Sequence, residues 1–165
     1  MEELTELTEG RQDPGGPDRA PSPTAELAEL KSRLAQERPD RWESLPDIPL
    51  YMDQVVSYLA RQLISFGEGD SLTPAMINNY IKDGLLARAN GKKYDQEHLA
   101  YLTAISAMKQ VLSLPEAWSV LQMAQQENTF PQVYDYFCQE LENALSQVWD
   151  QPRRDESACL EGEGA

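Results

Sequence analysis

The sequence predicts an all-α fold: a helical domain containing a helix-turn-helix-like unit and a small β-wing. Three observations predict it. Apolar residues recur at helical spacing in successive segments, as in Leu99, Leu102, Ile105 and Met108. Helix starts are marked by capping residues followed by proline, at Thr73-Pro74 and again at Ser113-Leu114-Pro115. Between them, the basic stretch around Asn90-Gly91 carries the dipeptide that most favours a tight hairpin turn.

In chain order, residues 1–23 combine Glu, Gly, Pro, Asp and Ser with almost no large apolar side chain, the composition of a disordered tail. Thr24 is the expected cap of a short amphipathic helix with Leu27, Leu30 and Leu34 on one face, stopped before Pro39. The organisation read from this is a mostly disordered 1–44 with one short helix, a helical domain over 45–150, and a disordered acidic tail over 151–165. The run Leu45-Pro46-Asp47-Ile48-Pro49-Leu50 is an extended lead-in, because each proline disfavours helical backbone in the residue before it. Met52, Val55, Val56, Leu59 and Leu63 then form the stripe of a core helix, broken at Gly67-Glu68-Gly69-Asp70.

Thr73 and Pro74 open a helix of about three turns, with Ile77 and Ile81 on the inner face and Gly84 as its left-handed stop. Asp95 caps the next helix, expected to end near Leu112. A further helix from Ser113 to about Gln126 buries Trp118, Leu121 and Met123. The last, over 131–149, carries Phe130, Val133, Phe137, Leu141, Ala144 or Leu145, and Val148 on one side. Its stripe is broader than a heptad seam, which favours folding back on the domain over pairing with a second copy.

The chain of 165 residues has a net charge of −14. Such acidity disfavours nonspecific attraction to phosphate. The charge is uneven, however: over 73–109, Lys82, Arg88, Lys92, Lys93 and Lys109 outnumber Asp83, Asp95 and Glu97. With Ile77 and Ile81 turned inward, the helix over 73–83 leaves Thr73, Asn78, Asn79 and Lys82 outward. Asparagine can pair with an adenine edge, and lysine can reach phosphate or guanine. Arg88, Lys92 and Lys93 put positive charge on the adjacent wing, suited to phosphate.

Other chemistries find little support. The sequence has no Ser/His/Asp order, Cys/His pair, glycine-rich phosphate loop or HExxH, so an enzyme is not expected. His98 is the lone histidine, and Cys138 and Cys159 match neither a disulfide framework nor a zinc knuckle, so no metal or other cofactor is expected. The aromatic set Trp118, Phe130, Tyr134, Tyr136 and Phe137 is read as core, with an effector pocket as the alternative. No apolar run reaches the ~20 residues needed to span a bilayer, and Met1-Glu2-Glu3-Leu4 lacks the features of a signal peptide. A cytoplasmic location without membrane contact is expected.

The run Leu72-Thr73-Pro74-Ala75-Met76-Ile77-Asn78-Asn79-Tyr80-Ile81-Lys82-Asp83-Gly84-Leu85-Leu86, with Asn90-Gly91-Lys92-Lys93-Tyr94 and Leu112-Ser113-Leu114-Pro115-Glu116, resembles the winged-helix DNA-binding domain of MerR-type regulators. Ala75 and Asn78 stand where that family's recognition helices usually carry arginine. The segment from Leu45 to about Leu121, with Leu-Pro-Asp-Ile-Pro-Leu-Tyr and Met-Ile-Asn-Asn-Tyr, is similar to a bacterial domain-of-unknown-function family, number 1836. The resemblance to the regulators implies a transcriptional regulator bound to double-stranded DNA, with a homodimer as its working unit an open alternative. The competing reading is a helical protein-protein interaction module, which accommodates the acidity directly.

Overall fold

The computed structural model describes residues 22–62 and 71–150, with side chains to residue 147. The expected tails over 1–21 and 151–165, Leu63, the break at Gly67 and Cys159 lie outside the described residues. The described chain is mostly helical with one small two-stranded sheet, the all-α architecture with a β-wing that the sequence predicts.

Helix α1 spans Pro23–Gln36. Its cap is Ser22, whose hydroxyl accepts from the Ala25 N–H, and not Thr24: proline at the first helical position moves the start forward. Leu34 is buried while Leu27 stays exposed, and Arg38 just beyond pairs with Glu142. A short 3₁₀ turn, Trp42–Ser44, leads to strand β1, Leu50–Tyr51, and helix α2, Met52–Leu59. Val55 and Leu59 of the expected stripe are buried in α2. After Leu59 the backbone tightens, with Arg61 N–H donating to the Tyr58 carbonyl and Gln62 N–H to the Leu59 carbonyl, both at 3.1 Å.

Helix α3, Pro74–Lys82, is capped by Thr73. It buries Ile77 and Tyr80, while Ile81 is half-buried. Gly84 ends it at φ +77°, letting Leu85 and Leu86 N–H groups both reach the Tyr80 carbonyl. Strand β2, Lys93–Tyr94, pairs antiparallel with β1 in the register Leu50↔Tyr94 and Tyr51↔Lys93. The wing is therefore anchored on the proline-stiffened lead-in.

Helix α4, Gln96–Met108, is the centre of the domain. His98, Leu99, Ala100, Leu102, Thr103, Ala104 and Ile105 are all buried, so it is enclosed on every side and not along one stripe. It packs on α2, on β2, on α5 (Leu114–Ala124) and on α6 (Phe130–Asp150). The helical repeat expected to reach Leu112 closes at Met108 and gives way to turns. Glu116 closes a capping box on Ser113 at the start of α5, its Oε2 accepting from the Ser113 N–H at 2.8 Å.

Helix α5 faces inward through Ala117 and Leu121, with Trp118 half-buried. Met123, expected inside, is 67% exposed: two residues past Leu121 is the opposite side of a helix. Helix α6 folds back through Phe130, Val133, Tyr134 and Cys138, whereas Tyr136 of the aromatic set faces solvent. Burial fades along it, with Leu141 and Leu145 partly covered and Ala144 exposed.

A polar knot at Asp40 fixes α6 and α2 to the segment before β1. Asp40 Oδ2 accepts from Tyr58 Oη at 2.7 Å and from Gln62 Nε2 at 3.1 Å; its carbonyl accepts from Tyr134 Oη at 2.7 Å. Gln62 completes the pair by accepting the Asp40 N–H. The Trp42 ring lies edge-on to both Phe130 and Tyr134, and its backbone N–H donates to Asp135.

Two stability predictions rest on these features. A Cβ built on Gly84 meets nothing within 4 Å, so Gly84→Ala costs only backbone strain. Urea unfolding should show about 1 kcal/mol of destabilisation. Tyr134→Phe should lose about 1 kcal/mol, because the Asp40 carbonyl forfeits its hydroxyl donor and keeps only the weaker Cys138 thiol at 3.9 Å.

Candidate nucleic-acid interface

At 3.6 residues per turn, burying Ile77 and Tyr80 turns Ala75, Asn78, Asn79 and Lys82 into one outward arc of α3. All four are exposed, as is Thr73. The Thr73 hydroxyl oxygen accepts from the Met76 N–H at 3.2 Å, leaving the hydroxyl proton free to donate outward. Among the described residues, Asn78, Asn79 and Lys82 make no side-chain hydrogen bond or ion pair, so their donors and acceptors face solvent.

The wing is a tight turn in which Asn90 and Lys93 exchange both backbone hydrogen bonds, at 3.0 and 3.1 Å. Its central residues are Gly91 and Lys92, one position later than the Asn90-Gly91 centre expected from sequence. Gly91 has φ +66° and Lys92 does not take a positive φ, the pattern of a turn with glycine at its first central position. This puts Lys92 at the tip, exposed. Lys93 is exposed too, but its ammonium lies over the Tyr51 ring at 5.2 Å, a cation–π contact tying the wing to β1. Arg88 is exposed in the connection between α3 and the wing.

The seven expected residues thus fall into three places: Thr73, Asn78, Asn79 and Lys82 on α3, Arg88 in the connection, and Lys92 with Lys93 on the turn. Among the described residues, no hydrogen bond or ion pair joins the helix set to the turn set. Lys109, which in the sequence counts only as local charge, has its ammonium 5.9 Å from the centre of the Tyr80 ring. That adds a cation beside α3, from a residue too distant in sequence for any local pattern to reveal.

The root of the wing is locked by His98. Its Nε2 donates to the Ala87 carbonyl at 3.1 Å, and its Nδ1 sits 2.7 Å from Asp95 Oδ1. The His98 N–H donates to the same oxygen at 3.1 Å, closing a capping box at the start of α4. Burial pushes the Asp95 carboxyl upward, but the hydrogen bonds from the His98 backbone and ring, with that of Glu97, hold it below the usual carboxylate range. Among the described residues no group of acidic, histidine and cysteine side chains could hold a metal ion, and no helix is long and apolar enough to cross a membrane.

The fold and this surface define a small helical domain bearing a β-wing. A family model described as a domain of unknown function (DUF1836) matches residues 40–137, more than half of the chain, and the chain belongs to that family. The match begins at the residue of the Asp40 knot and takes in α3, the wing and α4. No curated protein and no solved structure matches the chain.

Because the folded Asp95 carboxyl is held low, the stability it contributes is present above its unfolded pKa of about 3.9 and is lost as pH falls through the lower folded value. Asp95→Asn keeps a capping oxygen without that titration. Urea midpoints of the two proteins should differ at neutral pH and converge below about pH 4.

Proposed function

We propose that the chain is a DNA-binding transcriptional regulator that meets double-stranded DNA as a MerR-like winged helix-turn-helix, α3 entering the major groove and the 90–93 turn lying on the backbone. The observation that carries this reading is the outward arc of α3. Asn78, Asn79 and Lys82 are exposed on a capped helix whose opposite side is fixed in the core by Ile77 and Tyr80. A short, rigid helix presenting amide and ammonium groups has the shape and chemistry that base edges require. Arg88, Lys92 and Lys93 supply cations for phosphate, and Thr73 a hydroxyl. The chain's net charge of −14 leaves such binding dependent on this one surface and suppresses nonspecific attraction elsewhere.

A second reading, a protein-protein interaction module without DNA binding, is favoured by a different observation: Val111, Val120 and Met123 are 84%, 48% and 67% exposed in and before α5.

Selection from pooled genomic DNA fragments at two salt concentrations separates the two. The regulator reading predicts enriched sequences whose binding weakens with salt. Changing Lys82, Arg88, Lys92 and Lys93 together to alanine should abolish enrichment, and in any residual binding flatten the slope of log K against log salt by about 0.9 for each phosphate no longer neutralised. No enrichment by the folded wild type contradicts the regulator reading and leaves the α5 surface as the place to seek a partner.

A further inference from the structure

Behind the connection that carries α3 into the wing lies a hollow of about 410 Å³, within the range of small-molecule sites. Residues 84–87 form one wall. Glu97 and Tyr101, a turn apart on α4, form the second, and Trp118 and Gln122, likewise a turn apart on α5, form the third. Leu85, Leu86, Tyr101 and the indole of Trp118 give it an apolar and aromatic side, and Asp95, Glu97, Gln122 and Gln125 a polar one. The Tyr101 ring lines the hollow, while its hydroxyl is buried beside the Gln122 and Trp118 side chains. Burial pushes its pKa up to about 12, so it remains a neutral donor.

The electrostatics of the hollow have one sign. Asp95 and Glu97 are its acidic lining residues, and no lysine or arginine lines it among the described residues. The last turn of α5 and the residues that follow α3 both line it. An anion would face two carboxylates, whereas a cation would meet carboxylates and an indole face together.

We propose that this hollow is a binding site for a small organic cation, an amine or amidine carried on a flat apolar body that lies against Trp118 with its charge toward Glu97. A ligand of this kind covers the Leu85 and Leu86 wall and the faces of Tyr101 and Trp118. Nothing in the site depends on whether α3 meets DNA, and its test uses the protein alone.

Calorimetric titration of the full chain with benzamidine, alongside 3-phenylpropionate as an anion of similar size, tests the assignment. One benzamidine is expected per chain, with a shift of the Trp118 indole resonance and no matching response to the carboxylate. Glu97→Gln, a change at an exposed position, should weaken benzamidine about fivefold, as expected for a rim ion pair. Trp118→Leu should weaken it by about as much through loss of the aromatic face. Absence of saturable binding at about 10 mM, equal binding of the carboxylate, or undiminished binding by both folded variants would overturn the proposal.

Discussion

The enclosure of α4 is the constraint on which the rest of this structure depends. Residues 98–100 and 102–105 of this helix are buried whichever way they point, so the polar groups they carry must find partners within the fold. Thr103 donates to the Leu99 carbonyl one turn back, and His98 is held between Asp95 and the Ala87 carbonyl. The small residues Ala100 and Ala104 are fully buried beside Leu99, Leu102 and Ile105, leaving room for neighbours on all sides. Helices α2, α5 and α6 and the short strand β2 then take positions around it. His98 links this packing to the surface: by holding Ala87 it fixes the start of the connection from which Arg88 projects.

The second constraint is the Asp40 knot. One short 3₁₀ turn is the internal hydrogen bonding of residues 40–45, which are fixed mainly by groups from α2, the turn after it and α6. One carboxylate oxygen and one carbonyl receive Tyr58, Gln62 and Tyr134, while Leu45 is buried against the same aromatic cluster. Burial and the Asp40 carboxylate both raise the Tyr58 pKa, so its hydroxyl stays a donor. Cys138 sits in this cluster with its thiol pushed up by burial, a packed group with little thiolate character. The segment ends at β1, which the wing strand joins, so the knot also steadies the wing.

Much of the fold was legible because its signals are local. Thr73-Pro74 and Gly84 fix both ends of α3, and Asp95 and Ser113 open α4 and α5, since caps act within a turn of where they sit. All seven expected site residues are exposed because helical periodicity separates the faces of α3 and turns project from surfaces. What escaped depends on distant partners or on near-equivalent local choices. Ser22-Pro23 and Thr24 both offer a cap, and the chain uses the one preceding proline. Gly91 supplies the positive φ but at the first central position. The all-round burial of α4 hides in small and polar residues, Ala100, Thr103 and His98, which no single apolar stripe includes. Asp40, Lys109 over Tyr80 and the hollow beside Trp118 join residues far apart in sequence, and only the assembled fold brings them together.

Whether the outward arc of α3 and the 90–93 turn meet DNA is tested most directly by the amide resonances of the labelled protein, titrated with mixed-sequence duplex DNA at low and moderate salt. Salt-sensitive shifts are expected at Asn78, Asn79, Lys82, Gly91, Lys92 and Lys93, with α6 undisturbed. A spectrum unchanged by DNA, or shifts confined to Val120, Met123 and their neighbours on α5, would contradict a DNA-facing α3.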